Sequence, residues 1–249
     1  MRKFSYWRSI DDDGGVDPRN DRPARQLRVM TWNLRSLRDD RGAVVAALRH
    51  CAPDVVCVQE APRFLRARSR LAALARESGL VVASGGAPES GVAILTSLRI
   101  DVDQPRKVDL PRTAGLHRRA VSLVRLSLGG RRFLAASIHL GLDRAERLRH
   151  AAMIKDLLVQ APGGVTVVAG DLNETARGPA WALLGEGLTD TGAPADLPTF
   201  PARAPRRRID TVFVPMRWAT KSISAGEIVD DALLVRATDH LPVVVDVVD

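Results

Sequence analysis

Eight side chains able to hold a metal, move a proton or grip a phosphate stand at the ends of apolar stretches in this 249-residue chain. They are Asn33, Glu60, His139, Asp171, Asn173, Asp210, Asp239 and His240. A charged group beside an apolar run must be paired, hydrated or metal-bound, because burying it alone is costly. Any one of them could simply face water at a strand end or cap a turn. Eight in equivalent positions argue for a shared site. Carboxylates and amides without Cys–His spacing suit a hard, oxygen-preferring cation, Mg²⁺ or Mn²⁺, and not structural zinc. Competing chemistries lack their signatures. There is no P-loop, GxGxxG or HExxH, and Ser90 in APESGVA lacks one flanking glycine of a nucleophile elbow.

The elements that must position these residues are short apolar strands alternating with amphipathic helices. LRVMTWNL, DVVCVQE, LVVASG, GVAILTS, AVSLVRLSL, RRFLAASIHL, VTVVAGDLN, RRIDTVFV and LPVVVDVV read as strands, with EIVDD between the last two. Helices are expected over 43–49, 64–77, 144–158 and 179–184. Gly129-Gly130 signals a hairpin. One regularity stands out: strand RVMTWNL, a helix and strand DVVCVQE are echoed by FLAASIHL, a helix and VTVVAGDLN. Each unit ends its first strand on a polar residue (Asn33, His139) and its second on an acid (Glu60, Asp171). Two such units face to face would bring all four to one rim, since strand ends deliver side chains into a shared crevice. The hairpin signals over 81–138 point to mixed, largely antiparallel sheets rather than a doubly wound parallel one.

Composition sets the bounds. With 45% hydrophobic and 27% charged residues the chain is expected to fold as one globular domain over 27–249, which excludes collagen-like and wholly disordered classes. Residues 1–26, rich in Asp, Arg, Pro and Gly, read as a flexible extension, with Phe4, Tyr6 and Trp7 near its start. Two cysteines, Cys51 and Cys57, exclude a disulfide scaffold and read as small buried hydrophobes. The net charge is +8, and only four of the 37 basic residues are lysines. That balance favours an anionic substrate, while 4% aromatics argues against a surface that stacks successive bases. No run reaches the roughly 20 apolar residues of a membrane span, and no secretory signal is visible, so a cytoplasmic protein is expected. His50 and His150 read as surface residues.

The segments TWNL, VVCVQE, SIHL, GDLN, RRID and TDHLPV, in this order, resemble the endonuclease/exonuclease/phosphatase superfamily, the deoxyribonuclease I-like metal-dependent phosphoesterases. The resemblance spans essentially all of 27–249. It implies an α/β (α+β) four-layer sandwich: two mixed, mainly antiparallel β-sheets packed face to face, with helices on the outside. It implies that Glu60 is the principal Mg²⁺ ligand, with Asn33 and Asp239 beside it. His240 would be the catalytic base and Asp210 its partner. Asp171 and Asn173 would position the nucleophile or leaving group, and His139 would donate to phosphate or act as a general acid. Arg119 is a further candidate for the substrate phosphate, with a solvated basic turn as the equal alternative. LPTFP, with Thr199 and Phe200, resembles a loop bordering the site, and the arginines at 203, 206, 207 and 208 could touch an anionic substrate. The expected partner is a phosphoester, DNA or RNA cleaved with little sequence preference, acted on by a monomer. The alternatives are a small molecule or lipid headgroup as substrate, or an inactive binding module of the same fold.

Overall fold

The computed structural model describes Arg19 and residues 22–63, 65–87, 91–161 and 166–248. Phe4, Tyr6, Trp7 and Ser90 lie outside the described residues. Among the described residues twelve strands form two six-stranded sheets. The first holds β1 (Leu27–Asn33), β2 (Val55–Gln59), β3 (Val81–Gly85), β4 (Ala93–Thr96), β11 (Ala219–Ile223) and β12 (Val243–Val248), in the order β11-β12-β1-β2-β4-β3. The second holds β5 (Asp101–Asp109), β6 (Ala120–Leu128), β7 (Arg131–His139), β8 (Thr166–Asp171), β9 (Leu188–Asp190) and β10 (Asp210–Pro215), in the order β5-β6-β7-β8-β10-β9. Each sheet has one parallel pair, β1 with β2 and β7 with β8, and is otherwise antiparallel.

Parallel neighbours require a crossover, and a helix supplies each one: α1 (Arg41–Cys51) and α3 (Arg144–Val159). Both start on an aspartate cap, Asp40 accepting from the Ala43 N–H at 3.0 Å and Asp143 from the Glu146 N–H at 2.8 Å. The remaining helices are α2 (Ala67–Glu77), α4 (Pro179–Gly185) and α5 (Asp231–Ala237). α1, α2 and α5 pack an apolar layer on the outer face of the first sheet, and α3 and α4 do so on the second. A third layer, including Val29, Cys57, Val124, Val167 and Val245, fills the space between the sheets. The central strands are therefore covered on both faces, which is why they read as continuous apolar runs. This is the expected four-layer sandwich. No helix among the described residues is long and apolar enough to cross a membrane.

The two strand–helix–strand units take up matching registers. Asn33 pairs with Gln59 and His139 with Asp171, so both units end at one rim. Gly170 makes the second register possible: a Cβ there would lie 2.0 Å from the Ile138 carbonyl oxygen. Three elements depart from the sequence reading. β5 is exposed almost throughout and held by pairing with β6, so DVDQPRKVD shows no apolar period; its register slips between Asp103 and Arg106, around Pro105. EIVDD is no strand but a turn leading into α5, and β11 precedes it. His150 is buried on α3, donating from Nε2 to the Pro111 carbonyl at 2.8 Å, because its side of the helix faces the 110–113 loop. Cys51 and Cys57 are buried and unpaired.

The described part of the segment before β1 is tied to the domain. Arg19 is buried and donates to the Ser78 carbonyl at 3.0 Å. Arg22 pairs with Asp54 at 2.8 Å, and Gln26 donates to Asp246 at 2.9 Å. Asp54 is fully buried and also accepts from the Arg28 N–H, Ser97 and Arg99. Removing this carboxylate leaves two arginines without their buried partner. Asp54→Ala is expected to cost about 3 kcal/mol of unfolding free energy in a urea titration. A loss below about 0.5 kcal/mol would show that the ion pairs contribute little.

Candidate active site

The site is assembled at the rim where the parallel pairs end. β8 ends on Asp171, whose carboxylate has almost no access to water. Its Oδ2 accepts from Asn33 Nδ2 at 3.0 Å, a contact between the two sheets. His139 Nε2 lies 3.5 Å from the same oxygen and His240 Nε2 lies 3.8 Å from it. Oδ1 accepts from the Asn173 N–H at 2.8 Å. Asn173 has φ +50°, a conformation asparagine tolerates well, and donates from Nδ2 to the Leu140 carbonyl at 3.0 Å. Asp210 begins β10, in register with Asp171.

His240 reaches the site from the loop between α5 and β12. Trp32 Nε1 donates to the His240 carbonyl at 2.8 Å, the Thr238 hydroxyl donates to the Asn33 carbonyl at 3.1 Å, and the Leu241 N–H donates to the Thr199 carbonyl at 2.7 Å. Its Nδ1 lies 2.9 Å from Asp210 Oδ2. A carboxylate only accepts, so Nδ1 carries the proton and Nε2 is left facing Asp171. Asp210 is fixed in turn by the Thr199 hydroxyl at 2.6 Å, and Phe200 lies against the imidazole with ring centroids 4.7 Å apart. Thr199 and Phe200 thus shape the Asp–His pair directly.

Two histidines that face the same Asp171 oxygen are driven to different charge states, one neutral and one cationic. Burial, then Arg119, hold His139 well below the ordinary histidine pKa. Arg119 donates from Nη1 to His139 Nδ1 at 2.8 Å; a guanidinium cannot accept, so the proton of neutral His139 sits on Nε2, and the Asn173 amide nitrogen 3.2 Å away donates to the Leu140 carbonyl rather than to the ring. For His240 burial also favours the neutral form. Asp210, through charge and hydrogen bond, outweighs it with help from Asp171 and Asp239, raising the imidazole to about 9. Burial and the Asp210 charge push the Asp171 carboxyl up to about 7.

The expected site residues are placed as follows. Asn33, His139, Asp171, Asn173, Asp210 and His240 form one contiguous network, and Arg119 joins it through His139. Glu60, at φ +45° beyond β2, is half-buried with no hydrogen bond or ion pair on its carboxylate among the described residues. Asp239 faces Arg35, its Oδ2 3.4 Å from Nε. Ligand atoms of Asp171, Asp210 and His240 lie within 4.8 Å of one another, and Asp210 Oδ1 is buried without a partner. This oxygen-rich donor set, with the unengaged Glu60 carboxylate, fits a hard divalent cation. The arginine run is only partly available to a substrate. Arg208 is buried in ion pairs with Asp190 (2.9 Å) and Asp196 (2.6 Å), which the sequence reading did not foresee. Arg35 and Arg63 also border the site, and an arginine-rich background hides both in the sequence.

The model of the Endonuclease/Exonuclease/phosphatase family matches residues 30–240, which contain every one of these residues. The chain belongs to that family. Membership supports a hydrolase of phosphoesters. Among curated proteins no sequence matches. Solved structures share the fold at low identity. A Beutenbergia cavernae DSM 12333 endonuclease/exonuclease/phosphatase superposes with TM-score 0.69 at 24% identity, covering 90% of this chain and 72% of that one. D. rerio TDP2 humanized by 14 mutations gives TM-score 0.67 at 18% identity, covering 90% and 99%. A mannosyl-6-phosphatase of Bacteroides thetaiotaomicron VPI-5482 gives 0.68 at 18%, covering 90% and 100%.

The raised His240 pKa has a measurable consequence in metal-free buffer. A histidine whose folded pKa exceeds its unfolded value of about 6.5 adds stability that is complete below pH 6.5. That contribution is lost as the pH rises through about 9. The melting-temperature advantage of the wild type over His240→Gln is expected to be largest near pH 6 and to shrink by pH 9.5. An advantage that grows with pH would contradict the charge assignment.

Proposed function

We propose that this protein hydrolyses phosphoester bonds with a divalent metal, Mg²⁺ or Mn²⁺, and that the Asp210–His240 pair activates the attacking water. The observation that supports this best is the geometry of the pair: an imidazole held at Nδ1 by a buried carboxylate, with Nε2 turned toward Asp171. Glu60, flanked by Asn33 and Asp239, would hold the ion, which when bound supplies positive charge to the phosphoryl oxygens.

The chain's own groups divide the remaining work. In its neutral form His240 takes a proton from water at Nε2 as the water oxygen bonds to phosphorus, and Asp210 stabilises the imidazolium that forms. Asp171 orients the water opposite the leaving oxygen. The departing oxygen takes a proton from solvent and the imidazolium returns its own to solvent, so one water is consumed per bond cleaved. His139, neutral with its proton on Nε2, donates a hydrogen bond to a phosphoryl oxygen, and Asn173 Nδ2 adds a second donor. A low pKa suits His139 to donating a hydrogen bond rather than a whole proton. Retention of Glu60, Asp171, Asn173, Asp239 and His240 favours an enzyme over a retired binding module.

EDTA is expected to abolish hydrolysis of bis-p-nitrophenyl phosphate or p-nitrophenyl phosphate, and Mg²⁺ or Mn²⁺ to restore it. His240→Ala should lower kcat by about 10²- to 10⁴-fold with the fold intact. Asp210→Asn should cost less, and the double variant little more than His240→Ala alone. Losses that multiply would mean that the two residues act independently.

A further inference from the structure

Beside the Asp–His pair lies a second cluster, two arginines that make no close ion pair among the described residues. Arg119, at the entry to β6, is 6% exposed. One end of its guanidinium donates to His139, while its Nε is buried with no hydrogen-bond partner. Arg63, three residues after Glu60, also buries an unpartnered Nε. Neither arginine has an ion pair among the described residues. In the same protein Arg22, Arg28, Arg147 and Arg208, all largely buried, each meet a carboxylate within 3.0 Å.

Backbone contacts bring the two arginines to one place. The Ser137 hydroxyl donates to the Val58 carbonyl at 3.0 Å and accepts from Gln59 Nε2 at 3.3 Å, which fixes the end of β2 against β7 two residues before His139. The Ala61 N–H donates to the Gly91 carbonyl at 2.8 Å. Gly91 leaves the space that Arg63 fills: a Cβ there would stand 2.5 Å from Arg63 Nε. Burial, then the Arg63 charge, hold Arg119 below its ordinary pKa against the opposing charges of Asp171, Glu60 and Glu146, and Arg63 acts on His139 in the same sense as on Arg119. Two cations that repel each other, each with a buried Nε–H that has no partner among the described residues, offer donors to an anion.

We infer that Arg63 and Arg119 form an anion subsite for a doubly charged phosphoryl group, so that the protein prefers phosphomonoesters to phosphodiesters. The inference rests on the phosphoesterase reading and specifies its substrate class. A monoester carries a charge of about −1.5 to −2 at pH 7 and offers three terminal oxygens. A diester offers two oxygens and a single charge. Two forked guanidinium groups and the Nε2–H of His139 match the former.

The test is calorimetric titration of the metal-free protein with inorganic phosphate and with dimethyl phosphate, using wild type, Arg63→Gln and Arg63→Lys. Phosphate is expected to bind the wild type and dimethyl phosphate to bind at least about tenfold more weakly. Arg63→Gln should weaken phosphate by about 10- to 100-fold, as loss of charged hydrogen bonds does. Arg63→Lys should recover only part, since it keeps charge without the fork. In the Mg²⁺-loaded protein, kcat/KM for p-nitrophenyl phosphate should exceed that for bis-p-nitrophenyl phosphate, and Arg63→Gln should reduce that ratio by about tenfold. A hexose 6-phosphate and a 5′-phosphorylated oligonucleotide then distinguish the monoester's source; turnover of either supports the subsite. Diester hydrolysis with phosphate affinity indifferent to Arg63 would overturn the subsite and leave the phosphoesterase reading standing. Arg63-dependent phosphate binding without hydrolysis of any ester would do the reverse.

Discussion

A carboxylate shut away from water, Asp171, is the constraint around which the site is organised. An ionised carboxylate at that depth must be met by donors, and the donors come from both halves of the sandwich. Asn33 supplies one from the first sheet and the Asn173 N–H another from the second, while His240 arrives from the loop that returns to the first sheet. Between the sheets, further polar contacts such as the Ser137 hydroxyl to the Val58 carbonyl and Ser122 to Ser84 cross an apolar layer that by itself fixes no particular register. A polar contact across the seam does, because a shift of either sheet would strand a buried charge. The catalytic geometry and the alignment of the sheets thus depend on the same atoms.

Different charge states for His139 and His240 follow from that arrangement. Each imidazole has one nitrogen committed to a charged neighbour and the other turned toward Asp171. Burial, then Arg119 on Nδ1, keep His139 neutral, and Asp210 on Nδ1 keeps His240 protonated until the surrounding carboxylates are offset. One ring is prepared to donate a hydrogen bond without changing charge, the other to exchange a proton. Thr199 and Phe200 hold Asp210 and His240 from behind, so the pair is fixed by a loop as well as by strands.

Much of this was legible in the sequence because the chemistry interrupts apolar runs. Asn33, His139, Asp171 and Asp210 each sit where a buried strand ends, and the matching strand–helix–strand units foretold a common rim. Three kinds of feature were not legible. β5 is an exposed edge strand, stabilised by backbone pairing that leaves no apolar period. His150 looked like a surface residue because its burial comes from a distant loop and not from its own helix. Arg63 and Arg208 could not be told apart in a chain with so many arginines: Arg208 ends in ion pairs and Arg63 has none among the described residues, and only three-dimensional contacts separate them.

The most direct test of the account is an NMR titration of the two imidazoles in the metal-free protein, comparing wild type with Asp171→Asn. The account predicts that His139 titrates well below its ordinary value, with its proton on Nε2 when neutral. It predicts that His240 titrates well above 7 in the wild type, with its proton on Nδ1 when neutral, and at lower pH once the Asp171 charge is gone. A His139 that titrates near 6.5, or a His240 indifferent to the loss of Asp171, would contradict it.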